Sequence, residues 1–197
     1  MSFFGQQQTT GTTPQKLTTL SVQTSSYGIC MGMAWGTSRV TGNLIWYGDF
    51  QAIEHTQEVG GKGGGGTSST NYTYRTGFAL GLVESRLASI GQVWSGKDKT
   101  DCGALGLDVF VGAAGQSPWA YLTANHAGEA LNYPDLSYVA ASAFDLGNNA
   151  SLPNLAFEIK TLTAGAGGGL DAAPWTIVSD MLSAGGFPAG RLGDLSA

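Results

Sequence analysis

The stretch Asn71-Tyr-Thr-Tyr-Arg-Thr-Gly-Phe-Ala-Leu-Gly-Leu82 constrains the fold more than any other. Tyr72, Tyr74, Phe78, Leu80 and Leu82, with Thr76, fall on one side of a period of two. Thr73, Arg75, Gly77, Ala79 and Gly81 fall on the other. A period of two with a bulky apolar face is a β-strand. Its small face lets a neighbouring backbone approach closely, or lines a lumen. Further strands are expected at 20–25, 43–53, 90–94, 107–112, 136–141 and 155–162. In the last of these, Leu155, Phe157 and Ile159 point inward, and Glu158 and Lys160 outward. One helix is expected in Ala173–Gly186: Pro174 suits the first helical position, Gly185 the residue just past the end, and Trp175, Val178, Met181 and Leu182 make an apolar stripe. The chain therefore reads as mainly β with minor α.

Composition narrows the function classes. Charged residues make up only 12% of the 197, while apolar content is ordinary at 42%, which is the opposite of a disordered chain. The net charge is −5 and no two Lys or Arg are adjacent, so the clustered cations of a phosphate-binding surface are missing. No apolar run approaches the length of a membrane-spanning helix. The N-terminus lacks the pattern of a secretory signal, so synthesis in a cytoplasm is expected. Cys30 and Cys102 form no CxxC motif and read as two buried thiols.

Gly61, Gly63 and Gly66 satisfy G-x-G-x-x-G, but a strand rather than a helix follows, and Lys62 precedes the glycines instead of ending them as in a Walker loop. The run before Pro174 has the order strand, glycine turn, helix, yet Leu170 stands at the third glycine position. His55 with Glu54 and Glu58 is a conceivable metal site, but scattered loop charges are commoner. No G-x-S-x-G elbow accompanies the serines. Asp49, Glu54, Asp98, Asp101 and Asp108 could supply a glycosidase carboxylate pair, and spacing alone does not single one out. Trp35, Trp46, Tyr47, Trp94 and Trp119 could stack on sugars or fill a β core. No catalytic residue, metal or cofactor emerges. The glycine segment reads best as part of a loop of about 18 residues, over 54–71, joining two strands. That length suits a mobile or binding segment.

Several ordered motifs resemble one family. They are Gly36–Phe50 (GTSRVTGNLIWYGDF), Lys62–Gly66 (KGGGG), Tyr72–Tyr74 (YTY), Ile90–Trp94 (IGQVW) and Gly147–Glu158 (GNNASLPNLAFE). In this order they resemble the N-terminal part of the tail-tip or baseplate hub proteins of tailed bacteriophages and gene-transfer agents, over roughly residues 20–195. Glu84–Ser89 and Ala120–Gly128 depart from that family's turns. The resemblance implies tail-tube-like β-barrel units. A flexible arm is expected at 1–19, a first unit at 20–100, a second at 101–163, and a glycine-rich linker with the helix at 164–197. It implies a homotrimer that continues or closes the tail tube. The implied partners are the tube ring, the distal tail components and the tape-measure protein, and DNA passes through the lumen without specific binding. The implied location is the virion. Lys62, Gly63, Gly64, Gly65, Gly66, Tyr72, Tyr74, Arg75, Trp46 and Phe50 are the expected assembly contacts, with the glycine segment at the tip of a long hairpin. Family members continue well past this length, so a short or split hub, or the front part of a longer product, is expected. A carbohydrate-binding adhesin and a peptidoglycan hydrolase are the alternatives.

Overall fold

The computed structural model describes residues 15–21, 30–59, 67–162 and 173–187. Its strands are β1 (Thr37–Thr41), β2 (Asn43–Val59), β3 (Thr67–Val83), β4 (Leu87–Ser95), β5 (Asp98–Thr100), β6 (Asp108–Val111), β7 (Ser137–Gly147) and β8 (Leu155–Thr161). Helix α1 (Ala120–Asn125) runs into a 3-10 turn at Ala127–Glu129, and α2 is Pro174–Ala184. The chain is mainly β with minor α, as the alternation predicts. The strands form two antiparallel sheets, in the orders β1-β8-β4-β5 and β2-β3-β7-β6, and among the described residues neither closes into a barrel. Each sheet draws strands from both sides of residue 100.

The two sheets pack face to face. Phe78, Leu80 and Leu82 of β3 and Val139, Ala141 and Phe144 of β7 meet Leu87 and Val93 of β4 and Leu155, Phe157 and Ile159 of β8. The period-two reading of β3 and β8 thus identifies the core faces directly. The small face of β3 serves a different purpose from a lumen. A Cβ on Gly77 would come within 3.1 Å of the Trp46 ring, and one on Gly81 within 2.9 Å of the Met31 methyl. Ala79 lies beneath Trp119, Leu122 and Tyr138 in a second apolar cluster, under α1. The missing side chains on that face make room for this aromatic layer.

Other differences have local causes. Residues 54–59 and 67–71, expected as loop, are paired strand: Val59 opposes Thr67 and Glu54 opposes Tyr72, so β2 and β3 are 17 residues each. Their Thr, Ser and Val content suits extended backbone, and pairing overrides the lack of alternation. Strands β1 and β5 and helix α1 were not expected, being 5, 3 and 6 residues long, too short for a periodic signal. The expected strand at 20–25 lies largely outside the described residues. Ser21 makes a single parallel bridge to Ser151. The thiols expected to be buried are not: Cys30 is exposed and Cys102 half-buried, both unpaired. No helix among the described residues is long and apolar enough to cross a membrane.

Helix α2 begins at Pro174 and stops in a left-handed turn at Gly186 (φ +79°). There the Phe187 amide donates to the Leu182 carbonyl at 2.9 Å and the Gly186 amide to that of Ser183 at 3.0 Å. This pair of bonds satisfies the last carbonyls of the helix.

Candidate assembly interface

The β2–β3 hairpin outruns its sheet. Strand β7 pairs with β3 only as far as Tyr74, where it ends at Gly147 in a left-handed conformation (φ +64°). Beyond that point residues 52–59 and 67–73 continue as a two-stranded ribbon. Over His55–Gln57 and Ser69–Asn71 it is polar on both faces, while Ile53 and Tyr72 nearer the root are half-buried. The His55 Nε2 lies 2.7 Å from Thr73 Oγ1, and the Thr56 hydroxyl 3.4 Å from that of Thr70. A two-stranded ribbon without an apolar face is marginal in water. The sheet supports it at one end, through the pairing of β3 with β7. At its base Phe50 stacks on the buried Tyr74, with ring centroids 5.6 Å apart and planes 8° from parallel. The Leu17 amide donates to the Tyr74 hydroxyl at 3.0 Å.

Of the expected contact residues, Phe50 and Tyr74 come together at the root of this arm. Tyr72 is half-buried along the arm, and Arg75 is exposed. Lys62, Gly63, Gly64, Gly65 and Gly66 lie outside the described residues. Trp46 belongs to another place, since it sits on the opposite face of the sheet, beneath α1.

That second place is a clasp centred on Asp49. The pairing of β2 with β3 slips between Leu44 and Trp46 and again between Gly48 and Gln51, and Asp49 takes a positive φ of 52° at the second bulge. The Thr76 hydroxyl donates to the Gly48 carbonyl at 2.9 Å and holds the bulge from behind. Bulges re-aim side chains, and here the Asp49 carboxylate meets the α1 segment. It accepts hydrogen bonds from Tyr121 (2.6 Å) and lies 2.7 Å from His126 Nε2. The Trp46 indole donates to Glu129 and the Trp119 indole to Asp108 at 3.0 Å. One side of the Trp46 ring covers Gly48 and Gly77, and His126 packs against it at 5.4 Å.

This constellation holds structure together. Among the described residues, no serine, threonine or cysteine is hydrogen-bonded to His126, so triad geometry is not assembled. No group of three or more His, Cys, Asp and Glu among the described residues could hold a metal. The aromatics considered for sugar stacking are engaged elsewhere. Trp119 is buried, and Trp46 is half-buried with its ring packed over Gly48 and Gly77. Trp94 lies under the Arg39 guanidinium at 4.0 Å, and Trp35 donates to Asp180 at 3.2 Å. Of the five, Tyr47 is the one more than half exposed, at 52%. The sequence signal for the clasp was faint. Asp49, Trp46 and His126 were each visible, but 77 residues separate Asp49 from His126.

The hydrogen bond from Tyr121, then that from His126, holds the Asp49 carboxyl below the ordinary carboxylate range against the opposing effect of burial. The same Asp49 bond pushes the Tyr121 phenol up. A depressed carboxylate pKa stabilises the fold above the unfolded value of about 3.9, and this stability fades as pH falls through the lower folded value. A raised phenol pKa acts in the opposite sense, and its contribution is lost as pH rises from about 10 through the folded value. Asp49→Asn keeps a side chain that tolerates positive φ. The variant is expected to be less stable than the parent at neutral pH, with a gap that closes as pH falls from about 5 toward 3. Chemical denaturation across that range measures it. A gap independent of pH would show that the carboxylate charge plays no part.

No protein-family model matches the chain, and no curated protein matches it. Among solved structures, a chain in the virion of a native gene transfer agent particle superposes with a TM-score of 0.53 and 24% identity. The match covers 83% of this chain and 32% of that one, so this chain spans about a third of its length. The likeness is one of fold: the antiparallel architecture described above is similar to that of a polypeptide built into a gene-transfer-agent virion.

Proposed function

We propose that this chain is a structural virion protein of a phage-like tail, acting as hub of the tail tip or baseplate. What carries the reading is the fold it shares with a chain of a gene-transfer-agent virion. The ordered motifs of residues 36–158 support it, since they resemble the hub family independently. The β2–β3 arm adds a physical reason: a polar ribbon unsupported by a third strand is suited to order against a neighbouring protein. In this reading three copies form a ring that continues or closes the tail tube. If each copy offers two tube-like β units, three copies present six, and a three-fold ring can stack on a six-fold one. The tape-measure protein and DNA pass through. A sparsely charged, net-acidic protein gives DNA few cations to adhere to. The chain works by assembly rather than catalysis.

Cryo-electron microscopy of intact particles from the source, with this chain located and counted, tests the reading. Three copies around the tail axis are expected. Absence from every particle would refute it and leave a β-rich binding domain.

The glycine segment is tested separately. Replacing residues 60–66 by a two-residue Asn-Gly turn keeps Val59 opposite Thr67 and alters loop-closure entropy by only about 1 kcal/mol. The variant is expected to unfold at nearly the parent's temperature and yet to reduce sharply the yield of complete tails. Normal yields of functional particles would remove the segment from assembly.

A further inference from the structure

Away from the clasp, the outer face of the β1-β8-β4-β5 sheet holds a cavity of about 390 Å³, with Arg39, Thr41, Trp94, Gly96, Asn154 and Ala156 in its walls. Strand register sets its position. Thr41 of β1 and Trp94 of β4 both oppose Ala156 of β8, and Arg39 lies two residues from Thr41 on the same face. The alternate residues Val40, Val93, Leu155 and Phe157 belong to the core. Ala156 contributes only a methyl group, so the row has a low floor. Gly96, in a left-handed conformation between β4 and β5 (φ +63°), has open space where a side chain would begin. The Arg39 guanidinium lies 4.0 Å from the centroid of the Trp94 ring. Stacking engages the flat side of a guanidinium and leaves its N–H donors, which lie in its plane, able to bond. Among the described residues Arg39 makes no ion pair and no hydrogen bond. Its cross-strand neighbour Glu158 is the obvious partner. Yet Glu158 Oε1 lies 2.7 Å from where a Cβ on Gly91 would stand, so that carboxylate is folded over the bare Gly91 backbone of β4 instead.

We propose that this cavity receives an acidic side chain of a partner polypeptide, whose carboxylate takes the in-plane fork of Arg39 while its stem fills the space beside Trp94. A guanidinium held flat against a ring is preorganised for a bidentate carboxylate, and it has little rotamer freedom left to lose. The polar side chains of the cavity are one guanidinium, one amide (Asn154) and one hydroxyl (Thr41). That set fixes one carboxylate on an uncharged stem and is too sparse to fix a polyfunctional metabolite. A sugar is disfavoured, because Arg39 already occupies a face of the Trp94 ring. Charge complementarity points to the same occupant. In a chain of net −5, the segments that build this sheet, 37–41, 87–100 and 155–161, hold the four cations Arg39, Lys97, Lys99 and Lys160 against the two carboxylates Asp98 and Glu158. An acidic segment is therefore drawn to this face of an otherwise acidic protein. A polypeptide also has a track to follow. Strand β1 is an edge strand, paired among the described residues with β8 alone, and an extended segment can lie along its other side. The site goes beyond the virion reading and does not depend on it.

Solution NMR of the full 197-residue chain tests it, with the indole N–H of Trp94 and the Nε–H of Arg39 as reporters. The probe is the peptide acetyl-Thr-Val-Glu-Val-Thr-amide, titrated at fixed ionic strength beside its Glu-to-Gln counterpart, acetate and inorganic phosphate. The Glu peptide is expected to shift both reporters with a Kd of about 1 mM, and the Gln peptide to bind at least about tenfold more weakly. Arg39→Gln is expected to lose at least about tenfold in affinity for the Glu peptide. Arg39→Lys keeps the charge without the fork, and is expected to lose at least about threefold. Both variants should unfold at the parent's temperature, since Arg39 is exposed and unpaired. Equal binding of the two peptides overturns the proposal, as does unchanged affinity in Arg39→Gln. Acetate as tight as the Glu peptide overturns it in favour of free small acids, and phosphate tighter than the Glu peptide in favour of a general anion site. The comparison of the two peptides needs no variant, so a variant that fails to fold leaves the test intact. Absence of the chain from particles would refute the virion reading and leave this site standing. Loss of discrimination between the peptides would refute the site and leave the ring.

Discussion

Phe157→Ala is expected to destabilise the protein by about 3–5 kcal/mol, the largest effect of any single truncation in the core. Phe157 is fully buried in the middle of β8, at the centre of the cluster that joins the two sheets. It is flanked on both sides in its own sheet, by Val40 of β1 and Val93 of β4. A cavity there is walled by close-packed strands, which relax less readily than loops. For a domain of this size the loss corresponds to a fall in unfolding temperature of about 10 °C. Ile159→Val, two residues along the same face, removes one methyl group and should cost about 1 kcal/mol. Urea unfolding of the pair measures both. Near-equal midpoints for Phe157→Ala and the parent would mean that the sheets do not share this core.

Trp46→Ala is the second, with an expected loss of about 2–4 kcal/mol, somewhat less than for a fully buried tryptophan because part of the ring is accessible. Its consequences are more local and more diagnostic. The ring fills the space left by Gly48 and Gly77, and it contacts Trp119, Tyr121 and His126. Without it, α1 loses its support on the sheet, and Asp49 loses the packing that keeps Tyr121 and His126 in reach. Protease sensitivity around residues 119–129 should rise and near-ultraviolet circular dichroism should fall, while the sandwich core stays folded. Trp46→Phe keeps a ring but deletes the Glu129 hydrogen bond, and should cost about 1 kcal/mol. Unchanged protease protection in Trp46→Ala would show that α1 is held by Trp119 and Leu122 alone.

The fold was legible where one residue type dictates one geometry. The alternation of β3 and β8 identified both faces of the sandwich, because a strand gives each side chain only two directions. The span of α2 followed from Pro174 and Gly185, because both residue types act through local backbone geometry, although the left-handed residue is Gly186, one position further on. The candidate contacts were legible only in part. Phe50 and Tyr74 meet, as aromatics on paired strands can. Trp46 could not be assigned to its true face, because two bulges shift the register of β2 by amounts that no periodicity reveals. A one-residue slip moves a side chain to the other side of the sheet.

What the sequence alone determined was the strand-dominated class, the core faces of its clearest strands, the bounds of α2, and a scarcity of charge that disfavours a phosphate-binding surface. These depend on interactions within a few residues or on bulk composition. What the tertiary structure decided was which groups meet across long separations: Asp49 with Tyr121 and His126, the glycine face of β3 with Trp46 rather than a lumen, and the hydrophilic face of α2 with the body of the protein. The helix stripe is the clearest case. Its period is written in the chain, but which way it faces is set by the polar partners that hold the other side, and that choice leaves the apolar side turned outward.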